Sequence, residues 1–319
     1  MLSLALGLLL QVVRGLEYTL IQNYNASNFF DGFTFFTGQD PTGGFVDFLS
    51  YELALNKSLI DNISDVVYLA VDHTNVISLD GPGRPSVRLE SKMTFTEGLF
   101  VLDLLHLPVG CGTWPAFWTV GLGDWPANGE IDIIEGVNDA TGNDASLHAA
   151  GECTVSKDVD QTGKWKSTDC NIGHDKNQGC GTTFTEPYNF GPDFNTNGGG
   201  VYAMEWTNSS INIWFFSPEN VPESLFSPSP DTNDFGIPGA SFSGPCSDSF
   251  AQKFFNHTLI IDTTFCGGWG GGTFGTGEET QCPLVDSAGP DASCKSFVAM
   301  NPQAFNETYW AIKSLTIWQ

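Results

Sequence analysis

Residues 129–136 read GEIDIIEG, three carboxylates inside an otherwise apolar run. On a β-strand successive side chains alternate between faces, so Glu130 and Asp132 share one face while Ile131 and Ile133 take the other. Unbroken alternation would turn Glu135 into the core, where an ionised carboxylate costs several kcal/mol or stays protonated. One inserted residue, a β-bulge between Asp132 and Glu135, returns Glu135 to the face of the other two. Acids so grouped suit the cleavage of a glycosidic bond. With two carboxyls about 5–5.5 Å apart, one attacks the anomeric carbon while the other protonates the leaving oxygen and then deprotonates water. The middle acid can share protons with both and split their pKa values. Two other readings fit the spacing. One is a calcium site, although calcium loops carry Gly and Asn between ligands rather than Ile. The other is a solvated acidic face, which has no need of flanking aromatics.

Aromatics do flank these acids. Trp114, Trp118 and Trp125 all fall within the 16 residues before Glu130. Sugar rings have apolar faces that stack on indoles, so Trp beside acids suits a carbohydrate cleft. Trp118 is expected in the core or the cleft wall, and Trp125 as the exposed platform. His148, in SLHAAGEC, lies in the next strand-like segment, either as a satisfied buried histidine or facing the acids. Arg84 and Arg88 stand out because the chain has only 12 Lys and Arg. Each could orient a sugar hydroxyl or a carboxylate, or form a structural salt bridge. GGGTFG (270–275) matches a dinucleotide-binding glycine pattern, but TGEETQCPLVDSAGPD follows it with no helix pattern to receive a phosphate. Neither a cofactor nor a metal is expected.

The elements that must position these residues read as strands. SVRLESKMTF (86–95), LFVLDLLHL (99–107), GEIDIIEG, GVYAMEWT (200–207), SINIWFF (210–216), TLIIDTTF (258–265) and KSLTIWQ (313–319) are short and rich in β-branched or aromatic residues. Clusters of Gly, Pro, Asn, Asp and Ser separate them. With 36 Gly and 17 Pro, no long amphipathic helix is expected. The pattern is all-β: a sandwich of antiparallel sheets with long loops, as one domain over residues 16–319. Residues 1–15 resemble a secretion signal, with too short an apolar run to span a bilayer. Six Asn-x-Ser/Thr sequons, at Asn25, Asn56, Asn62, Asn208, Asn256 and Asn306, also point to export. So do eight cysteines without CxxC spacing, which suggest up to four disulfides among 105 full pairings. A net charge of -25 repels polyanions and argues against nucleic-acid partners. The C-terminal WAIKSLTIWQ reads as a strand rather than a lipid-anchor signal. A secreted, extracellular monomer without membrane attachment is expected.

In order along the chain, LDGPGRPSVRLES, GCGTWPAFW, GDWPANGEIDIIEGVND, NGGGVYAMEWT, TFCGGWGG and YWAIKSLTIWQ resemble glycoside hydrolase family 16, in the laminarinase-like branch of secreted fungal endo-β-1,3(4)-glucanases. The resemblance runs over essentially residues 18–319. It implies a concanavalin-like β-jelly roll of two curved antiparallel sheets. It also implies retaining hydrolysis of β-1,3 and mixed β-1,3/1,4 glucans through a covalent glycosyl-enzyme. Matched residue by residue, Glu130 would be the nucleophile, Asp132 the assisting acid and Glu135 the acid/base. Trp125 and Trp269 would line the subsites, Trp114 matches the GTWPA tryptophan, and His148 stands near the acids. The glycines around Trp269 are more numerous than in that group, which bears on branch tolerance. Glu135 is expected to hold a raised pKa beside an ionised Glu130. Two alternatives belong to other classes. A glucan-binding jelly roll without catalysis should have lost Glu130 or Glu135, and both are present. A cell-wall transglycosylase would use the same intermediate with a sugar in place of water.

Overall fold

The β-branched and aromatic runs form strands in the computed structural model, which describes residues 18–174, 178–246, 250–277, 280–285 and 287–319. The secretion signal expected at residues 1–15 lies outside the described residues. Two eight-stranded antiparallel sheets carry the fold. The first runs, edge to edge, Lys164–Ser167, Cys180–Thr183, Asp144–His148, Glu130–Glu135, Thr113–Gly121, His257–Phe265, Arg88–Phe95 and Phe33–Phe35. The second runs Ala240–Ser243, Ser210–Phe216, Gly200–Trp206, Gly98–His106, Tyr309–Trp318, Val66–Ala70 and Ile60–Ile63, and Leu20–Asn25 also pairs with Tyr309–Trp318.

Alternation within each strand builds the core between the sheets. Ile131, Ile133 and Ile134 of the acid strand bury against Leu102, Leu104, Met204 and Ile213, which come from the second sheet. The acid strand is thereby central in its sheet, held on both sides, with its polar face directed away from this core. At roughly 1.5–3 kcal/mol for each fully buried aliphatic side chain, the three isoleucines make that orientation far cheaper than its reverse.

Four disulfides resolve the cysteine pairing: Cys111–Cys282, Cys153–Cys246, Cys170–Cys180 and Cys266–Cys294. The last joins the end of the strand His257–Phe265 to a helix, Pro290–Met300, that the sequence pattern did not suggest. Its start reads as a turn because Gly289, at a φ of 81°, precedes a Pro at the first helical position. Only Ser293, Cys294, Val298 and Ala299 bury, too mixed a stripe to show as an amphipathic period. Among the described residues no helix is long and apolar enough to cross a membrane.

Candidate active site

The strand register contains the bulge that the acid spacing requires. Against the strand Thr113–Gly121, Asp132 pairs with Trp118 and Ile134 with Phe117, which leaves Ile133 as the inserted residue. Glu135 then stands opposite Ala116. Two consecutive isoleucines, Ile133 and Ile134, can both bury in the core, and all three acids reach the outer face. Directly opposed residues share a face, so rows can be read across the sheet. One row holds His148, Glu130 and Val120, and the next holds Ser146, Asp132 and Trp118. A third holds Glu135, Ala116, Asp262 and Arg88.

Each outer acid accepts a hydrogen bond from an indole. Trp125 Nε1 donates to Glu130 Oε2 at 2.5 Å, and Trp114 Nε1 donates to Glu135 Oε1 at 2.8 Å. His148 Nε2 stands 3.2 Å from Asp132 Oδ2, though off the line of a good hydrogen bond. Asp132 Oδ2 and His148 Nδ1 are buried without a hydrogen-bond partner among the described residues. His148 is thus not the satisfied core histidine that the sequence left open. Gly179, at a φ of 68°, keeps room for it, since a Cβ there would come within 2.8 Å of the imidazole. Oxygen and nitrogen atoms of Glu130, Asp132 and His148 lie within 4.8 Å of one another, close enough to share a cation. Glu130, however, already spends a lone pair on the Trp125 N–H, an arrangement better suited to proton sharing.

Enclosure by the site pushes all three acids upward, and the Asp132 charge adds to it for Glu130 and Glu135. Burial first, then the Asp132 charge, raises Glu130 to about 8, against the opposing pull of His148 and the Trp125 hydrogen bond. Burial raises Asp132 to about 8, with a hydrogen bond from Glu130 opposing it and Asp262 adding repulsion. Glu135 is driven well above the carboxylate range, by burial and then by Asp132. The expectation for Glu135 is met in direction. The expectation of an ionised Glu130 is not, because burial first and then the Asp132 charge raise Glu130 as well.

The tryptophans take three positions. Trp125 is 44% exposed, as a stacking platform would be. Trp269 projects from a single wide helical turn, Gly267–Gly271, and meets Trp114 edge to face at 5.7 Å. Trp118 is half-buried in the wall, donating to Asp262 Oδ1 at 3.3 Å. Arg88 lies between the rings of Phe36 and Trp118, at 4.7 and 4.9 Å, and pairs with Glu90 at 2.9 Å. It therefore braces the wall beside the acids. Arg84 is elsewhere: fully buried, it donates to the carbonyls of Asp72, Asn75 and Val298 and takes the structural role.

Sequence reasoning missed three neighbours. Asp262, raised to about 7 by burial against the pull of Arg88, shares the outer face. Lys166 pairs with Asp144 at 2.7 Å and places Nζ 5.2 Å from the Trp269 ring centre. Asn143, fully buried, touches the bulge itself. Asp262 stands as a lone acid in TLIIDTTF, and Asn143 carried no signal in its turn-like TGND. A separate groove of about 560 Å³, lined by Asp160, Asn212, Pro238 and serines, offers no aromatic ring to a sugar.

Comparison with known proteins gives a consistent picture. The model of the XgeA-like catalytic domains of glycoside hydrolase family 16 matches residues 33–318. A probable endo-1,3(4)-β-glucanase of Aspergillus fumigatus is 44% identical over 99% of this chain and 48% of its own length. The endo-1,3(4)-β-glucanase xgeA of Emericella nidulans is 42% identical over 95% of this chain and 47% of its own length. The chain therefore spans about half the length of these curated relatives. Among solved structures, an elongating family 16 β-1,3-glucosyltransferase is 44% identical with a TM-score of 0.89, covering 95% of this chain and 100% of that one. Laminarinase 16A from Phanerochaete chrysosporium, solved with β-glucans in donor and acceptor sites, is 39% identical with a TM-score of 0.88 over the same shares.

Proposed function

Because the chain belongs to the XgeA-like catalytic domains of glycoside hydrolase family 16, we propose that it is a secreted endo-β-glucanase that cleaves β-1,3 and mixed β-1,3/1,4 glucans with retention of configuration. Residues 16–319 act as its single catalytic domain, released from the signal at 1–15, and work as a monomer. The observation that carries this reading is the bulge that brings Glu130, Asp132 and Glu135 to one face, with both outer acids held by indole N–H groups.

In this mechanism Glu130 attacks the anomeric carbon and forms an ester bond to it as the glycosidic C–O bond breaks. Glu135 gives its proton to the leaving oxygen. The Glu135 carboxylate then takes a proton from water, whose oxygen displaces Glu130 and restores the β-configuration. Asp132 accepts and returns the proton shared with Glu130, so that Glu130 is a carboxylate when it attacks. Trp125 and Trp269 stack glucosyl rings on either side of the cleaved bond, and Trp114 fixes Glu135. His148 lines the site beside the acids, with Nε2 toward Asp132. Arg88 contributes through Trp118. Four disulfides suit an oxidising, extracellular setting.

The test is ¹H NMR of laminarin and barley mixed-linkage glucan at early times. The β-anomer should appear first, with internal cleavage giving a ladder of oligosaccharides. First appearance of the α-anomer, or no release from either polymer, would refute the proposal. One observation favours a second reading: the 44% identity to an elongating glucosyltransferase. Transfer uses the same intermediate with a sugar hydroxyl replacing water, and would show as chains longer than those supplied.

A further inference from the structure

The bulge leaves two backbone groups of the acid strand without strand partners. Toward Asp144–His148 the ladder runs Glu130↔His148, Ile131↔Leu147, Asp132↔Ser146 and then stops. Beyond that point the Ile133 carbonyl and the Glu135 N–H face a gap inside the protein. Asn143, the residue before that neighbouring strand, fills it. Its Oδ1 accepts from Glu135 N at 2.8 Å, and its Nδ2 donates to Ile133 O at 2.9 Å. One amide thus replaces the missing length of strand edge.

Asn143 is itself fixed from every side. Its own N–H donates to Asn189 Oδ1 at 2.6 Å, and its carbonyl accepts from Phe184 N at 2.9 Å. Asn189 in turn donates to Glu186 O and accepts at its carbonyl from Tyr202 OH, each at 2.5 Å. The chain of bonds runs from the core face of the second sheet to the backbone of the acid at the end of the bulge. Asn143 and Asn189 are 0% and 3% exposed, so water cannot substitute for either.

Resting on the glycosidase reading above, we propose that Asn143 is a positioning residue for the acid/base, its side-chain amide holding the bulge in the one backbone conformation that aims Glu135 at the outer face. It touches no substrate. It acts through the Glu135 backbone, while the Trp114 indole fixes the same residue at its carboxyl end. The two constraints together leave Glu135 little freedom.

Two variants test this. N143A removes both bonds and should lower kcat on laminarin on the order of 10²-fold, the scale of a misplaced catalytic group, with KM little changed. The limb of the pH profile that belongs to Glu135 should move. N143D is the conservative rescue. In its protonated form the new carboxyl can donate to Ile133 O and accept from Glu135 N; once ionised it cannot donate and repels Glu135. The titratable groups on the elements packed against this position are Glu135, whose N–H the amide holds, Asp144 with its partner Lys166, and Glu186, whose carbonyl accepts from Asn189. Acids outnumber bases there, which favours the protonated form. N143D should therefore approach wild-type kcat at acidic pH and lose activity at lower pH than the wild type does as pH rises. Carboxyl ¹³C NMR of Glu135 reads the same effect without substrate, as a shifted titration midpoint in N143A. A lower Tm with unchanged kcat, pH limbs and Glu135 titration would mean a merely structural role and overturn the proposal. Failure of N143A to fold leaves the acid rescue of N143D to decide, and N143D equally impaired at every pH would overturn it. An inactive wild type would refute the glycosidase reading instead, and the Glu135 titration would still judge Asn143.

Discussion

Glu130→Ser should reduce kcat on laminarin on the order of 10⁴–10⁶-fold, the scale on which enzymes lose rate when a nucleophile is removed. Ser lacks the reach and the acidity to attack the anomeric carbon. The fold should survive, because Glu130 sits on the outer face and its only hydrogen-bonded indole, Trp125, is 44% exposed and can turn to water. Binding should persist as well, since both stacking rings, Trp125 and Trp269, are kept, so laminarin-oligosaccharide affinity by calorimetry serves as the control. Azide provides the positive test. In Glu130→Ser it can occupy the vacated space and attack an activated β-glucosyl donor once, giving the α-azide. In Glu135→Ala it meets the covalent intermediate instead and gives the β-azide. Opposite products from the two variants would assign the two roles, because a single displacement inverts and a double displacement retains. A Glu130→Ser enzyme within tenfold of wild-type kcat would end the assignment.

The bulge was legible because two demands on one octapeptide conflict. Ile131, Ile133 and Ile134 all need the core, and three acids need to avoid it, and no unbroken strand serves both. His148 and the tryptophans were legible as residue types near those acids, although which of them face a substrate was not. Arg84 and Arg88 show the limit: equal on paper, they divide between a buried carbonyl cage and a brace against Trp118. Asp262 sits in TLIIDTTF with no second acid to mark a polar face, so its alternation carried too little contrast. Asn143 depends on a gap in a ladder that exists only once the strands have paired. The helix Pro290–Met300 draws its place from the Cys266–Cys294 bond as much as from its own pattern, and that pairing was one choice among many.

Glu135→Gln should stabilise the protein at neutral pH while disabling it. Glu135 is enclosed and repelled by Asp132, so its folded-state pKa lies above its value in the unfolded chain. A carboxyl raised in this way contributes its stability below the unfolded pKa, near 4.5, and loses it as pH rises through the folded value. Glu130 and Asp132, each raised to about 8, act in the same direction. The wild-type Tm should therefore fall from about pH 5 to pH 8, by several degrees, each kcal/mol being worth about 2–4 °C in domains approaching this size. His257 works the other way. Buried and pushed down to about 4, it costs stability as pH falls below 6.5. The informative quantity is thus the difference between variant and wild type. The substituted amide keeps an acceptor for the Trp114 N–H and carries no charge, so the variant should match the wild type near pH 4 and exceed it at pH 8. Its kcat on laminarin should drop by about 10²–10⁴-fold for want of a proton donor. With an aryl glucoside whose leaving group needs no proton, the first step should stay fast and the covalent intermediate should accumulate as a burst. Equal Tm differences at both pH values would show that Glu135 is not strained by its charge. The acid/base role would then need a proton donor other than a carboxyl kept protonated by burial.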